Sequence, residues 1–129
     1  MNYNVEQLLT DIQATGTEVE TQKNVIHFRH DNIPLTCIYD EGHDRMRFLC
    51  AIIKEENLDD RELHTLLSAN FHTALDARYA ISEGVVYSAF LHPLSSLTTE
   101  MTQSAIRQVA TLRRTFGTQY SSGELYFPG

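Results

Sequence analysis

Two runs of residues, 33–39 and 46–53, admit one antiparallel register, and that register commits the chain to a sheet with a buried face. With Asp40 opposite Arg45 across the turn Glu41-Gly42-His43-Asp44, Tyr39 faces Met46 and Cys37 faces Phe48. Leu35 then faces Cys50, and Ile33 faces Ile52. All four pairs are apolar. Side chains alternate between the two faces of a strand, so a slip of one residue would destroy every match. Residues 24–30, joined through Asp31-Asn32, read as a further antiparallel strand on the same side. Pro34 lacks an amide hydrogen and therefore marks an edge position or a bulge.

A second hairpin is predicted from residues 77–82 and 85–91 around Glu83-Gly84, with Gly84 where a positive φ is wanted. Its register pairs Tyr79 with Ser88, Ile81 with Val86 and Ala77 with Phe90. His92-Pro93 ends the strand. Tyr79, Ile81, Val86 and Phe90 occupy one face, and Ala80, Val85, Tyr87 and Ala89 the other. Helices of the same chain can cover only one of these, so the second is a candidate subunit interface and a homodimer is expected.

Helices complete the pattern. Val5, Leu8, Leu9 and Ile12 form one stripe of a helix over about 4–15, capped by Asn2 or Asn4 and stopped by a left-handed Gly16. Asp59 and Glu62 have capping-box spacing, and Leu58 with Leu63 makes a hydrophobic staple. Leu63, Leu66, Leu67, Asn70, Phe71 and Ala74 then follow helical spacing and read as a core-facing stripe. Asn70 is the polar intruder on it, expected to bind backbone groups where the helix ends, because buried polar groups are normally satisfied. A last helix starts near Thr98 or Thr99, with Met101, Ala105, Val109, Leu112 and Phe116 as its stripe and Gly117 as its stop. Residues 120–129 would pair as a short edge strand or stay loose. The expected order is α-β-β-β-α-β-β-α: an α+β fold, a five-stranded, mostly antiparallel sheet with packed helices. One domain is expected over 1–129, with its core at about 4–117 and a tail at 118–129.

Seventeen acidic and ten basic side chains give a net charge of −7. Such a chain is repelled by nucleic-acid phosphates and by anionic lipid, so neither is expected as a partner. No apolar run approaches bilayer-spanning length, and Met1 to Glu6 lack the basic start and apolar stretch of a signal peptide, which predicts a cytosolic location. All the net charge lies in residues 1–64, which carry 13 acidic and 6 basic groups. That half either presents more solvated surface or attracts a basic partner. Cys37 and Cys50 fall diagonally on neighbouring strands, about 7–8 Å apart, and are read as buried free thiols. The six histidines show no ligand spacing; His27 and His30 fall on opposite faces of one strand. No phosphate-binding, dinucleotide-binding or nucleophile-elbow motif is present. Neither catalysis, a cofactor nor a metal is expected.

Leu66-Leu67-Ser68-Ala69-Asn70-Phe71, then Ala77-Arg78-Tyr79-Ala80-Ile81 and Val85-Val86-Tyr87-Ser88-Ala89-Phe90, resembles a segment of the type III secretion chaperone family. There a helix ending in L-L-x-A-N precedes a β-hairpin and a terminal helix introduced by a Leu/Ser segment, which Leu94-Ser95-Ser96-Leu97-Thr98 resembles. The fold is shared by the bacterial sensory transduction regulator (YbjN-like) proteins. The resemblance implies a noncatalytic, usually homodimeric protein that binds other proteins, either a general chaperone- or adaptor-like module or a dedicated chaperone for one effector. Ile38, Val85, Tyr87 and Ala89 are the candidate protein-binding residues on sheet surface or edge. Asp59, Glu62, Asn70 and Gly84 are read as structural. The alternative of another class is a small-molecule-binding or catalytic protein using a concave sheet face lined by Cys37, Tyr39 and Cys50.

Overall fold

Asn4 accepts the Gln7 amide hydrogen at 2.9 Å and so begins the first helix, α1 (Val5–Thr15). In the computed structural model, which describes residues 2–123, α1 is followed by β1 (Thr17–Gln22), β2 (Val25–His30), β3 (Ile33–Asp40) and β4 (Arg45–Lys54). A short 3-10 turn (Glu55–Asn57) leads to α2 (Asp60–His72), then β5 (Arg78–Ser82), β6 (Val85–His92) and α3 (Thr99–Arg114). The strands form one antiparallel sheet in the order β1-β2-β3-β4-β6-β5. The fold is α+β as expected, with six strands rather than five. The added strand, β1, is an edge strand exposed at every position but Val19. Its short apolar content gave it no periodic signature.

Turn chemistry fixes the registers. Asp31 and Asn32 both have positive φ (50° and 65°), as do Glu83 and Gly84 (47° and 77°), so both two-residue loops twist with their strands. A Cβ at Gly84 would meet nothing within 4 Å; only its conformation calls for glycine. Asp40 pairs with Arg45, Tyr39 with Met46 and Cys37 with Phe48 as expected, and Tyr79 with Ser88 and Ile81 with Val86. The β3–β4 ladder ends at Thr36–Leu49, so the expected pairs Leu35–Cys50 and Ile33–Ile52 lie outside it. Ile52 is the extra residue of a bulge in β4, between Ala51 opposite Tyr87 and Ile53 opposite Val86. Ala77–Phe90 falls one step beyond the β5–β6 ladder. Pro34 sits on an internal strand, against Arg29 of β2. That pair follows the loop-closing pair His30–Ile33, so the Pro34 nitrogen points away from β2, to the side where the β4 ladder has ended.

Gly16 departs from its expected role. Its φ of −121° is extended, not left-handed. A Cβ there would lie 2.8 Å from a Phe28 ring carbon and 2.9 Å from the Arg29 carbonyl oxygen. Glycine lets the chain pass this close to β2 as it leaves α1.

One face of the sheet holds the core. Ile26, Phe28, Leu35, Cys37, Met46, Phe48, Val86 and Phe90 are all buried there. Phe48 lies at the centre, its ring 6.1 Å from Phe28 and 6.3 Å from Phe90. α1 and α3 lie against each other over this face and contribute Leu8, Ile12, Ile106, Val109 and Leu112. The two helices share a buried polar joint. The Tyr3 hydroxyl donates to Asp11 at 2.6 Å and lies 2.9 Å from the Thr102 hydroxyl, and the Thr99 hydroxyl donates to the other Asp11 oxygen at 3.3 Å. Burial and the Asp11 carboxylate push the Tyr3 hydroxyl pKa up, so it stays a donor. Gln108 ties α3 to the α2–β5 loop: its side-chain oxygen accepts the Asp76 and Ala77 amides at 2.8 and 3.0 Å.

Candidate protein-binding surfaces

Two surfaces are left uncovered by the described residues. The first is the sheet face opposite the core. Ile38, Arg47 and Leu91 form one cross-strand row on it; Thr36, Leu49, Ala89 and Arg78 form the next, and Ala51, Tyr87 and Ala80 a third. Among the described residues no helix packs there, and Leu91 is 58% exposed. Ile38 and Tyr87 are half-buried, whereas Ala89 is buried between its strand neighbours. Ile38, Tyr87 and Ala89 therefore share one face. Val85 shares their spacing of two along β6 but lies beyond the bulge, opposite Lys54 and Ser82, where it joins Leu58 and Leu63 at the entrance to α2.

The second surface lies between α2 and the edge strand β5. Asp59 accepts the Glu62 amide at 2.8 Å and Glu62 accepts the Asp59 amide at 3.2 Å, a complete capping box that fixes where α2 starts. At the other end the Asn70 side chain donates to the Tyr79 carbonyl at 2.9 Å and accepts the Tyr79 amide at 2.7 Å. An antiparallel neighbour would exchange the same two bonds with Tyr79, so Asn70 stands in for a strand residue at this end of β5. Between these anchors a cleft of about 410 Å³ opens, walled by Leu63, Leu66 and Leu67 of α2 and by Tyr79, Ala80 and Ile81 of β5.

The stripe on α2 does not face a core as expected. Leu66 and Ala69 are buried, but Leu67 is 72% and Phe71 81% exposed, and Ile81 beside them is 46% exposed. The helix leans on β5 by one edge of its apolar stripe, so the remainder faces outward. Periodicity marks an apolar face without saying what covers it.

The concave face proposed for a small molecule is the packed core. Cys37 and Cys50 are buried beneath the helices, and burial pushes the Cys37 thiol up to about 12, away from the thiolate form a nucleophile needs. Both cysteines are free. Among the described residues no three His, Cys, Asp or Glu side chains gather as a metal site, and no helix is long and apolar enough to cross a membrane. The expected edge strand within 120–129 falls largely on 124–129, outside the described residues; residues 120–123 turn back onto the α2–β5 loop, where the Leu75 amide donates to the Ser122 hydroxyl.

The sequence matches no protein-family model and no curated protein. Its fold does have solved counterparts. One is a chain of the ExsC–ExsE complex, 15% identical over 87% of this chain and 92% of that chain, with a TM-score of 0.62. Another is a chain of the HopA1–SchA chaperone–effector complex, 13% identical over 74% of this chain and 77% of that one, with a TM-score of 0.59. The six-stranded α+β architecture of this chain is a type III secretion chaperone-like fold.

Proposed function

We propose that the protein is a noncatalytic, chaperone- or adaptor-like module that captures a segment of a partner protein on the open sheet face. The observation that carries this reading is a sheet that the described residues cover on one side only, whose other side presents Ile38, Leu49, Tyr87 and Leu91 between strands that are already paired. Uncovered apolar surface of this kind marks a contact site. The counterpart in a chaperone–effector complex supports the same reading, and a dedicated role for one secreted effector is its narrower form. A cytoplasmic location fits either form. Substituting Ile38→Asp puts a charge at the centre of the face without touching the core. Affinity capture from native lysate, followed by titration of the recovered partner, should show strong binding by the wild type and weakened binding by Ile38→Asp, with unchanged far-UV circular dichroism. A variant that binds its partner normally removes the open face from the mechanism; recovery of no specific protein counts against capture itself.

A second reading concerns assembly. Leu67, Phe71 and Ile81 form an exposed apolar ridge beside β5, the edge strand of the sheet among the described residues. We infer that this ridge, rather than the β6 face, joins two copies in a homodimer. Sedimentation should give a dimer for the wild type and a monomer for Leu67→Ser with Phe71→Ser. A wild-type monomer at tens of micromolar would rule it out.

A further inference from the structure

The charge of the open face over β4, β6 and β5 is opposite to that of the chain. Two carboxylates share the open face, Glu20 on the edge strand β1 and Asp40 on β3 opposite Arg45, whereas Glu41 and Asp44 lie in a turn, Glu55, Glu56, Asp59, Asp60 and Glu62 cluster around the start of α2, and Glu83 and Glu100 sit in a hairpin loop and a helix first turn. The β4-β6-β5 part of the face has no carboxylate and carries Arg45 and Arg47 on β4 and Arg78 on β5, all three exposed. Among the described residues the arginine ion pairs are Arg29–Glu18 and Arg114–Asp31; Arg45, Arg47 and Arg78 take part in none. Arg78 spends one donor on the Leu75 carbonyl, at 2.9 Å, and keeps the rest of its fork.

These cations flank the apolar residues. Arg47 sits between Ile38 and Leu91, and Arg78 sits beside Ala89, whose other neighbour is Leu49. Arg47 and Arg78 are separated by the width of β6 and two residues along it, which strand geometry makes about 12 Å. An extended peptide places side chains of the same face at positions i, i+2 and i+4, with about 13 Å between the outer two. We propose that the occupant of the open face is an extended protein segment with the pattern acid-x-apolar-x-acid. Its carboxylates would meet Arg47 and Arg78, and its central side chain would rest on Leu49, Ala89 and Leu91. The inference rests on capture at this face and names its chemistry. It reverses the expectation of a basic partner, which came from net charge alone: the acidic groups of the face lie on β1 and β3, and its β4-β6-β5 part is cationic. Guanidinium–carboxylate pairing is directional and charge-assisted, so it also sets register along the segment.

The test uses three labelled twelve-residue peptides of repeating Glu-Thr-Leu-Thr, Gln-Thr-Leu-Thr and Lys-Thr-Leu-Thr, titrated into the full chain by fluorescence anisotropy. The Glu peptide should bind about tenfold or more tightly than the Gln peptide, and the Lys peptide should bind most weakly. Arg47→Glu with Arg78→Glu should abolish the preference for Glu over Gln. Arg61→Glu with Arg107→Glu, exposed positions elsewhere with the same change in net charge, should preserve it. Equal binding of the Glu and Gln peptides overturns the inference and leaves capture standing, and tighter binding of the Lys peptide does the same. Binding of none of the three overturns both. A twelve-residue oligothymidine that competes as well as the Glu peptide makes the face a phosphate-binding surface and overturns the inference as well. Thermal melting of both double variants near the wild-type midpoint ties any change to the face rather than to unfolding.

Discussion

Replacing Asn70 by alanine isolates one side chain that does the work of a strand. The change removes a donor to the Tyr79 carbonyl at 2.9 Å and an acceptor of the Tyr79 amide at 2.7 Å. A neutral hydrogen bond contributes about 0.5–1.5 kcal/mol net, and a partner left dry costs more. The Tyr79 backbone borders the α2–β5 cleft, so water can replace part of what is lost. Two bonds with partial rehydration give a loss of about 2 kcal/mol. In urea, with a slope of about 2 kcal/mol per molar, the unfolding midpoint should fall by about 1 M, and the Tyr79 amide should exchange faster than its neighbours on β6. Asn70→Asp sharpens the test. At neutral pH its carboxylate still accepts the Tyr79 amide but faces the Tyr79 carbonyl with a second acceptor, so it should be at least as unstable as the alanine variant. Repulsion by that carbonyl raises the folded-state pKa of the new carboxyl above the unfolded value of about 3.9. Its contribution is then fully present below that unfolded value and is lost as pH rises through the folded one. A midpoint within about 0.2 M of wild type for Asn70→Ala, or wild-type stability of Asn70→Asp at pH 7, would refute the strand-substitute argument.

Three further outcomes are expected. Tyr3→Phe should cost about 1–3 kcal/mol in the same urea assay, because Asp11 and Thr102 lose their shared buried partner. Cys37→Ser with Cys50→Ser should cost about 1–3 kcal/mol through buried hydroxyls, and wild-type stability should not change on adding reductant, since both thiols are free. The Ser95 hydroxyl and amide, each 2.7 Å from an Asp44 carboxylate oxygen, hold its pKa below the usual value, and His43 does the same for Asp40. Lowered folded-state values mean that stability present above the unfolded pKa is lost as pH falls through the folded one, so the thermal midpoint should drop below about pH 4 and Asp44→Asn should shallow that drop.

The parts of the fold legible in the sequence are those where local chemistry and pattern agree. The Asp31-Asn32 and Glu83-Gly84 loops announce two-residue hairpins, and Asp59 with Glu62 announces the start of α2. The strand β1 was hidden because, Val19 apart, it puts no side chain even partly under cover and is broken by a bulge between Thr17 and Glu20. Its one available signal was Lys23-Asn24, a turn-prone pair that closes Gln22 against Val25. Leu67 and Phe71 show the opposite failure: their spacing is plain, but whether an apolar stripe meets its own sheet or something else depends on the angle at which α2 leans. The cationic character of the open face over β4, β6 and β5 was equally out of reach. It comes from the register that sets Arg47 between Ile38 and Leu91, while net charge sums groups that never share a surface.

The joint between the first and last helices has a consequence for the order in which the chain becomes safe from aggregation. β2, β3 and β4 can pair as soon as they are made, because each is antiparallel to the strand before it. Their inner face, with Phe28, Leu35 and Phe48, waits for α3, which packs on α1 and on β2, β4, β5 and β6. At translation rates of about 5–20 residues per second, the stretch from Lys54 to Arg114 leaves that face bare for several seconds on every ribosome. During this interval α1 has only half its seat, and Tyr3 and Asp11 have no Thr102 to meet. Under the capture role proposed above, a protein that binds exposed segments of others would itself pass through a stage in which its newborn chain needs shelter.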